Sequence, residues 1–120
     1  MATSTIPAKV TDLIDTITIT AQSGITNNLF GRKVGKMASI NGFISASSAF
    51  GSGQHVLTVA EGQRPVSTIR IPIGLSDQAY NPPKSMGYLS LGSDGKVYIT
   101  APSGNGYNVA YFSFSYVIQA

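Results

Sequence analysis

The residues able to perform acid–base or metal chemistry are few, because the chain has one histidine, five carboxylates and no cysteine. A lone histidine, His55, cannot complete a common zinc site without thiolates or further imidazoles. Glycoside hydrolysis needs two carboxylates flanking the bond, and Glu61 and Asp94 both stand in turn motifs where a structural role suffices. The sequence contains no Gly-x-Ser-x-Gly nucleophile elbow. It therefore predicts a protein that is not an enzyme and that holds no metal or cofactor.

Planar polar groups and tyrosines suggest contact with saccharide instead. Sugar hydroxyls need hydrogen-bond partners, and the faces of sugar rings need a flat apolar surface. Loops on a rigid scaffold are where binding residues gather. The candidate ligand-binding residues are His55, Arg70, Asp77, Tyr80, Asn81 and Tyr107. Core packing stays the alternative for each tyrosine, and a surface or strand-pairing role stays the alternative for His55.

Residues 74–85 form the longest irregular stretch of the sequence. Their consecutive prolines, Pro82 and Pro83, exclude a central strand. Loops beyond about twelve residues without secondary structure are usually functional or disordered. The two prolines would stiffen this loop and lower the entropy that it loses on binding. We therefore expect the loop to carry most of the ligand contact, helped by His55 and Arg70.

Alternation of apolar and polar residues predicts strands along most of the chain. The alternating blocks cover residues 16–20, 30–34, 37–47, 55–59, 68–73, 86–91, 96–100 and 107–118. Asp94 and Gly95 between two such blocks predict a hairpin, because glycine tolerates the positive φ of a tight turn. Before the first block, residues 11–15 could open one helical turn.

The closing strand, 107–118, is apolar on both faces. Phe112, Phe114 and Tyr116 share the face that we expect in the core. The opposite face carries Val109 and Val117 together with Tyr111, and it would leave an apolar strip in water unless a second surface covers it. Either another subunit or a second layer of the same chain could do so. About seven to nine short strands predict a single all-β domain, an antiparallel β-sandwich or β-barrel.

The composition limits the partners of this domain. Charged residues make up only 11% of the chain, and the net charge is +3. The basic cluster Arg32-Lys33-x-x-Lys36 would be divided between two faces of a strand, so no nucleic-acid-binding face is expected. No apolar run reaches the ~18 residues of a transmembrane helix, and the N-terminus lacks the pattern of a secretory signal. Because a small domain without disulfides needs another source of stability, the absence of cysteine favours oligomerisation.

The order of these motifs resembles a known family. A strand is followed by Glu-Gly-x-Arg-Pro, Ile-x-Ile-Pro, Gly-Tyr-Leu-x-Leu, x-Asp-Gly-x-Val-x-Ile and a closing aromatic strand. This order resembles the C-terminal head domains of phage tail receptor-binding proteins, which occur in tail fibres and baseplates of phages that infect Gram-positive bacteria. The resemblance extends from about Leu29 to Val117, and its motifs consist mainly of turn and core residues.

The resemblance implies a non-enzymatic adhesion module that binds host cell-wall saccharide as a homotrimer. It also implies a place in the virion, at the tail tip or baseplate, acting outside the host at its surface. Residues 1–28 would then be a linker or neck junction with the first strand, contacting other tail or baseplate proteins, and residues 29–120 would be the head. The alternative is a structural virion domain, a decoration or tail-tip assembly protein that binds other virion proteins. Neither the adhesion module nor the structural virion domain implies nucleic-acid binding or membrane insertion.

Overall fold

The computed structural model of the protein describes residues 14–77, 82–101 and 106–119. Within these ranges the chain forms strands and turns, and no helix. The strands are β1 (Ile14–Thr16), β2 (Ile19–Ala21), β3 (Ile25–Val34), β4 (Met37–Ala46), β5 (Ser52–Val59), β6 (Ile69–Ser76), β7 (Ser85–Leu91), β8 (Lys96–Thr100) and β9 (Val109–Val117). The helical turn expected over 11–15 is wrong at its described end, because Ile14 and Asp15 pair with β3 as a strand. Residues 11–13 lie outside the described ranges.

All the strand pairs are antiparallel, and they form one sheet in the order β1-β3-β4-β9-β6-β7-β8-β5-β2. The two ends of this order, β1 and β2, are consecutive pieces of the segment 14–21. β1 pairs with β3 and β2 pairs with β5. Between them, the Ile17 amide donates to the Gly31 carbonyl oxygen at 3.0 Å. This segment therefore joins the two edges of the curled sheet, and the predicted all-β antiparallel sandwich or barrel in one domain is confirmed.

Residues near the N-terminus take part in this sheet. The segment 14–21 supplies two strands, and β3 begins at Ile25 and pairs with β4 over its whole length. The boundary between a neck junction ending at residue 28 and a head beginning at residue 29 stays a prediction, and residues 1–13 lie outside the described part of the chain.

The hairpin between β7 and β8 confirms the strongest local prediction of the sequence. Gly95 has φ +84°, which is the left-handed region that glycine reaches without a steric penalty. Its amide donates to the Gly92 carbonyl oxygen at 2.9 Å. The Asp94 carboxylate accepts a hydrogen bond from the Lys96 amide at 3.1 Å. The local chemistry that the sequence indicates is therefore present in the turn.

A single hydrophobic core fills the inside of the curled sheet. On β9 the predicted core face is confirmed, since Phe112 and Tyr116 are buried and Phe114 packs against the buried cluster. The opposite face of β9 is mixed: Val109 is buried within the chain, whereas Val117 is exposed. The chain itself therefore covers this face at Val109, and cover by another subunit at Val117 stays a prediction.

Strand β6 is longer than the sequence predicts. Gly74 pairs with β7 and β9, and Leu75 and Ser76 also pair with β9. The irregular stretch expected over 74–85 is therefore shorter, because its first three residues belong to β6 and Ser85 begins β7. Pro72 lies within β6 although proline has no amide hydrogen to donate. Strand β9 pairs only with residues 74–76 of β6, so no backbone hydrogen bond to β9 is required at Pro72.

Candidate functional site

Four adjacent strands, β6, β7, β8 and β5, present one residue each on the outer surface of the barrel. Arg70 on β6 lies opposite Ser90 of β7, and Ser90 lies opposite Tyr98 of β8. Tyr98 in turn lies opposite His55 of β5. Tyr88 of β7 is two residues from Ser90, on the same side of the sheet. Arg70, Tyr88, Tyr98 and His55 together define what we call the four-strand face.

The two tyrosines point outward because their neighbours point inward. Leu89 and Ile99 are fully buried, and the period of two then directs Tyr88 and Tyr98 to the opposite side. The exposed fractions are 42% for Tyr88 and 38% for Tyr98. The rigid core under each ring fixes the position of the strand that carries it, so the rings lie on a preformed surface.

A β-bulge directs His55 to this face. The register between β5 and β8 shifts between His55 and Leu57, so that Val56 is an extra residue on β5. Val56 and Leu57 are consequently both buried. Under simple alternation His55 would share the inward face of Leu57, and the bulge reverses its direction.

The His55 ring is held by defined contacts. Its Nε2 atom lies 2.9 Å from the Leu57 carbonyl oxygen and 3.0 Å from the Thr58 hydroxyl. A carbonyl oxygen only accepts, so Nε2 carries the proton and Nδ1 of the neutral ring is an acceptor. The ring centroid lies 5.3 Å from that of Tyr98. His55 therefore offers one oriented acceptor beside an exposed aromatic ring.

Arg70 lies over the other exposed tyrosine. Its guanidinium carbon is 5.8 Å from the centroid of the Tyr88 ring. Within the residues that the structure describes, the one ion pair joins Lys84 and Asp77, so no carboxylate of these residues neutralises Arg70. A cation–π contact at an exposed site is worth only about 0.5–1 kcal/mol. The guanidinium therefore keeps donors that a ligand can use.

Two other predicted residues lie at one end of the barrel. The Asn108 amide donates to the Ser76 carbonyl oxygen at 3.1 Å, which brings the chain around Tyr107 close to Asp77. Asp77 accepts a hydrogen bond from the Lys84 ammonium at 3.0 Å, and this bond lowers the pKa of its carboxyl group. Tyr107 is partly buried and packs against the core. Tyr80 and Asn81 lie outside the described residues.

The structure thus divides the predicted site residues into two groups. Arg70 and Asp77 are seven residues apart on an extended strand, a distance of about 23 Å. One small sugar cannot contact both. His55 and Arg70 belong to the four-strand face, and Asp77 and Tyr107 belong to the barrel end. Sequence reasoning missed Tyr88 and Tyr98 as site residues, although the period of two that buries Leu89 and Ile99 would have placed both rings outward.

A second surface feature lies on β3, β4 and β9. Val34, Met37 and Val117 occupy one register row, and each is about half exposed. Phe30, on the same side of β3, is also exposed and has the Arg32 guanidinium 4.7 Å from its ring centroid. We call Phe30, Val34, Met37 and Val117 the apolar patch. In the order of strands around the barrel, the patch lies opposite β7 and β8.

The described residues have no cluster of three or more side chains suited to a metal ion, and their surface has no pocket. None of the described elements is a helix that could cross a membrane. The candidate site is consequently a surface rather than a cavity. The groups that it presents are hydrogen-bonding atoms, aromatic rings and the charge of one guanidinium.

The sequence matches no protein-family model, and it matches no curated protein. A solved structure is similar: the crystal structure of the head domain of phage bIL170, described in the context of the receptor-binding domains of lactococcal phages. The TM-score is 0.65 at 16% sequence identity, and the match covers 88% of this chain and 99% of that chain. The chain therefore has the same fold as the head domain of phage bIL170, which confirms the fold implied by its sequence motifs.

Proposed function

We propose that this chain is the receptor-binding module of a phage tail, and that it attaches to the host cell surface by binding saccharide at the four-strand face. The observation that carries the proposal is the grouping of Arg70, Tyr88, Tyr98 and His55 on one face of four adjacent strands. The fold shared with a head domain described among phage receptor-binding domains supports it.

The four-strand face has the groups that saccharide recognition requires. The exposed rings of Tyr88 and Tyr98 offer flat apolar surfaces to the C–H faces of sugars. The Arg70 guanidinium donates hydrogen bonds and the Nδ1 atom of His55 accepts one. Sugar hydroxyl groups can therefore act as acceptors towards Arg70 and as donors towards His55. Because these side chains stand on strands above a buried core, little ordering entropy is lost on binding.

The barrel end forms a second part of the proposed contact surface. Asp77 and Tyr107 are the described residues that we assign to it, and Tyr80 and Asn81, which follow Asp77 in the sequence, are proposed as further ligand-binding residues. Pro82 and Pro83 follow Asn81 directly in the sequence, and proline has a fixed φ. The distance between the two groups means that the barrel end would contact a different part of the cell-surface polymer from the four-strand face.

We further propose that the domain works as a homotrimer whose subunits meet through the apolar patch. Exposed apolar side chains from three adjacent strands would be removed from water by such contact. The four-strand face lies on the opposite side of the barrel, so it would stay free in the trimer. Three weak sites presented to one cell wall gain affinity through their effective concentration. The N-terminal residues 1–28 would join the head to other tail or baseplate proteins.

Fluorescently labelled protein applied to a panel of Gram-positive cells tests the adhesion proposal. We expect specific strains to be labelled, and Tyr88→Ala and Tyr98→Ala to reduce the labelling at least tenfold without loss of folding. Val66→Ala is the matched control, because Val66 is exposed but lies in a turn outside both surfaces. Binding to purified virion proteins, with no binding to cells or wall glycan, would favour the structural alternative.

The same wall glycan tests whether the module is an enzyme. We expect no increase in reducing ends after long incubation with the protein. Release of reducing ends that disappears in Asp77→Ala or Glu61→Ala would replace the adhesion proposal with a depolymerase.

A further inference from the structure

We infer that the four-strand face recognises an internal stretch of a polysaccharide chain lying across the strands, and not a single sugar or a chain end. This inference rests on the proposed function, because it specifies the ligand class of the same site. It follows from the shape of the face and from the spacing of its four side chains.

The shape of the face excludes tight enclosure of a small ligand. Sites for small molecules are concave and bury most of the ligand surface. The described residues form no pocket, and Tyr88, Tyr98 and Arg70 stand on an open sheet surface. A monosaccharide on this surface would contact one ring on one side only, which leaves little energy to offset the entropy lost on association.

The spacing of the side chains fits several consecutive sugar units. Neighbouring strands are about 4.8 Å apart, so the face extends over about 14 Å from β6 to β5. Tyr88 lies opposite Thr100, two residues from Tyr98, so the two tyrosines are diagonal neighbours on adjacent strands. Their separation of about 7–8 Å lets two different sugar rings of one chain lie on the two aromatic rings.

Each tyrosine has its own polar partner, which makes the face a pair of similar subsites. Arg70 lies 5.8 Å from Tyr88, and the His55 ring lies 5.3 Å from that of Tyr98. The first subsite combines a ring with donors, and the second combines a ring with an acceptor. The two subsites therefore differ, which defines the direction in which a polysaccharide chain binds. Neither subsite is closed at an end. A polymer can continue beyond both β6 and β5.

Sized fragments of wall polysaccharide test the inference. The polysaccharide is taken from a strain that the labelled protein stains, and it is cut by partial acid hydrolysis into fractions from one to six sugars. Each fraction competes for binding of the full chain to intact cells. We expect the half-inhibitory molar concentration to fall at least tenfold between the monosaccharides and the tetrasaccharides. These fragments are too short to join two subunits, so avidity does not contribute.

Variants of Tyr88 and Tyr98 test whether the two subsites cause the dependence of competition on fragment length. Tyr88→Ala and Tyr98→Ala should each remove most of the gain from the longer fragments, whereas Tyr88→Phe and Tyr98→Phe, which keep the ring, should retain it. Val66→Ala should behave as the unmodified chain does. Circular dichroism confirms that each variant is folded.

Three results are decisive in different ways. Monosaccharides that compete as well as tetrasaccharides, mole for mole, would overturn the inference and leave the adhesion function intact. A length dependence that Tyr88→Ala and Tyr98→Ala do not change would also overturn it, because the chain would then bind elsewhere. Absence of competition by the intact polysaccharide itself would overturn the proposed function.

Discussion

The hydroxyl group of Tyr116 donates a hydrogen bond to the carbonyl oxygen of Gln63 over 2.7 Å. Tyr116 stands near the end of the last strand, and Gln63 stands in the turn between β5 and β6. The side chain of Gln119 adds bonds to the Pro65 and Ser93 carbonyl oxygens at 2.8 Å and 2.9 Å. The C-terminal end of the chain therefore holds together two turns at the end of the barrel opposite to Asp77.

Replacement of Tyr116 by Phe should lower the free energy of unfolding by about 1–2 kcal/mol, because the Gln63 carbonyl oxygen loses its donor in a part-buried site. Urea denaturation measures the change. Tyr98→Phe is the matched control, since it removes the same hydroxyl from an exposed ring. Equal stability of the two variants would show that the hydrogen bond contributes nothing.

Alkaline pH should weaken the fold through the same residue. Burial raises the pKa of Tyr116 from 10.0 to about 12. The unfolded chain then loses this proton at lower pH than the folded chain does. The stabilisation is therefore complete below pH 10, and it is lost as the pH rises towards about 12. Urea denaturation across this range should show a smaller fall for Tyr116→Phe, and parallel curves for the two proteins would contradict the assignment.

The glycine of the β7–β8 turn should be far less replaceable than a glycine in an open turn. Gly95 and Gly62 both have positive φ, at +84° and +87°. A Cβ atom on Gly95 would meet the Arg64 side chain and the Val59 carbonyl oxygen, whereas one on Gly62 would meet nothing within 4 Å. Gly62→Ala should cost about 1–2 kcal/mol of strain, and Gly95→Ala about 1–3 kcal/mol more through overpacking. Thermal and urea denaturation of the two variants would contradict this order if both lost the same stability.

A charge in the apolar patch should prevent trimer formation. Val117→Glu would place a carboxylate among Val34 and Met37 in the proposed subunit contact, where its desolvation is unfavourable. Sedimentation equilibrium should give about three times the 12.5 kDa chain mass for the unmodified protein and a monomer for the variant. Val66→Glu, at another exposed valine, should remain trimeric. A monomeric unmodified chain at micromolar concentration would contradict both the interface and the avidity argument.

One pair of variants can distinguish the contributions that the two groups of predicted site residues make to cell binding. Arg70→Ala should weaken cell binding at least fivefold, because the four-strand face loses its donors to saccharide hydroxyls. Tyr80→Ala tests the barrel end, and we expect weaker binding with nearly unchanged thermal stability. Labelling of cells and a melting curve are measured for each variant. Lost stability with retained binding in Tyr80→Ala would show that Tyr80 has a packing role.

Arg64 shows how far local sequence reasoning extends. For this arginine, in the Glu-Gly-x-Arg-Pro motif, the sequence favours holding of the turn through backbone carbonyls, with a ligand role as the alternative. The structure confirms this prediction, since Arg64 Nε donates to the Val59 carbonyl oxygen at 3.0 Å. Donor and acceptor are only five residues apart, so local sequence could indicate this contact.

The sequence by itself determined most of the strands, the Asp94–Gly95 hairpin and the inward face of β9, because alternation and turn chemistry are local properties. The single strand predicted over 16–20 is wrong, since residues 17 and 18 separate β1 from β2. Only the tertiary structure decided which strands are neighbours. It placed the segment 14–21 between β3 and β5, and the bulge at Val56 turned His55 outward. It also brought Arg70, Tyr88, Tyr98 and His55 onto one face and separated them from Asp77. These relationships depend on contacts between residues far apart in the chain, whose pairing is set by the packing of the whole core rather than by any local pattern.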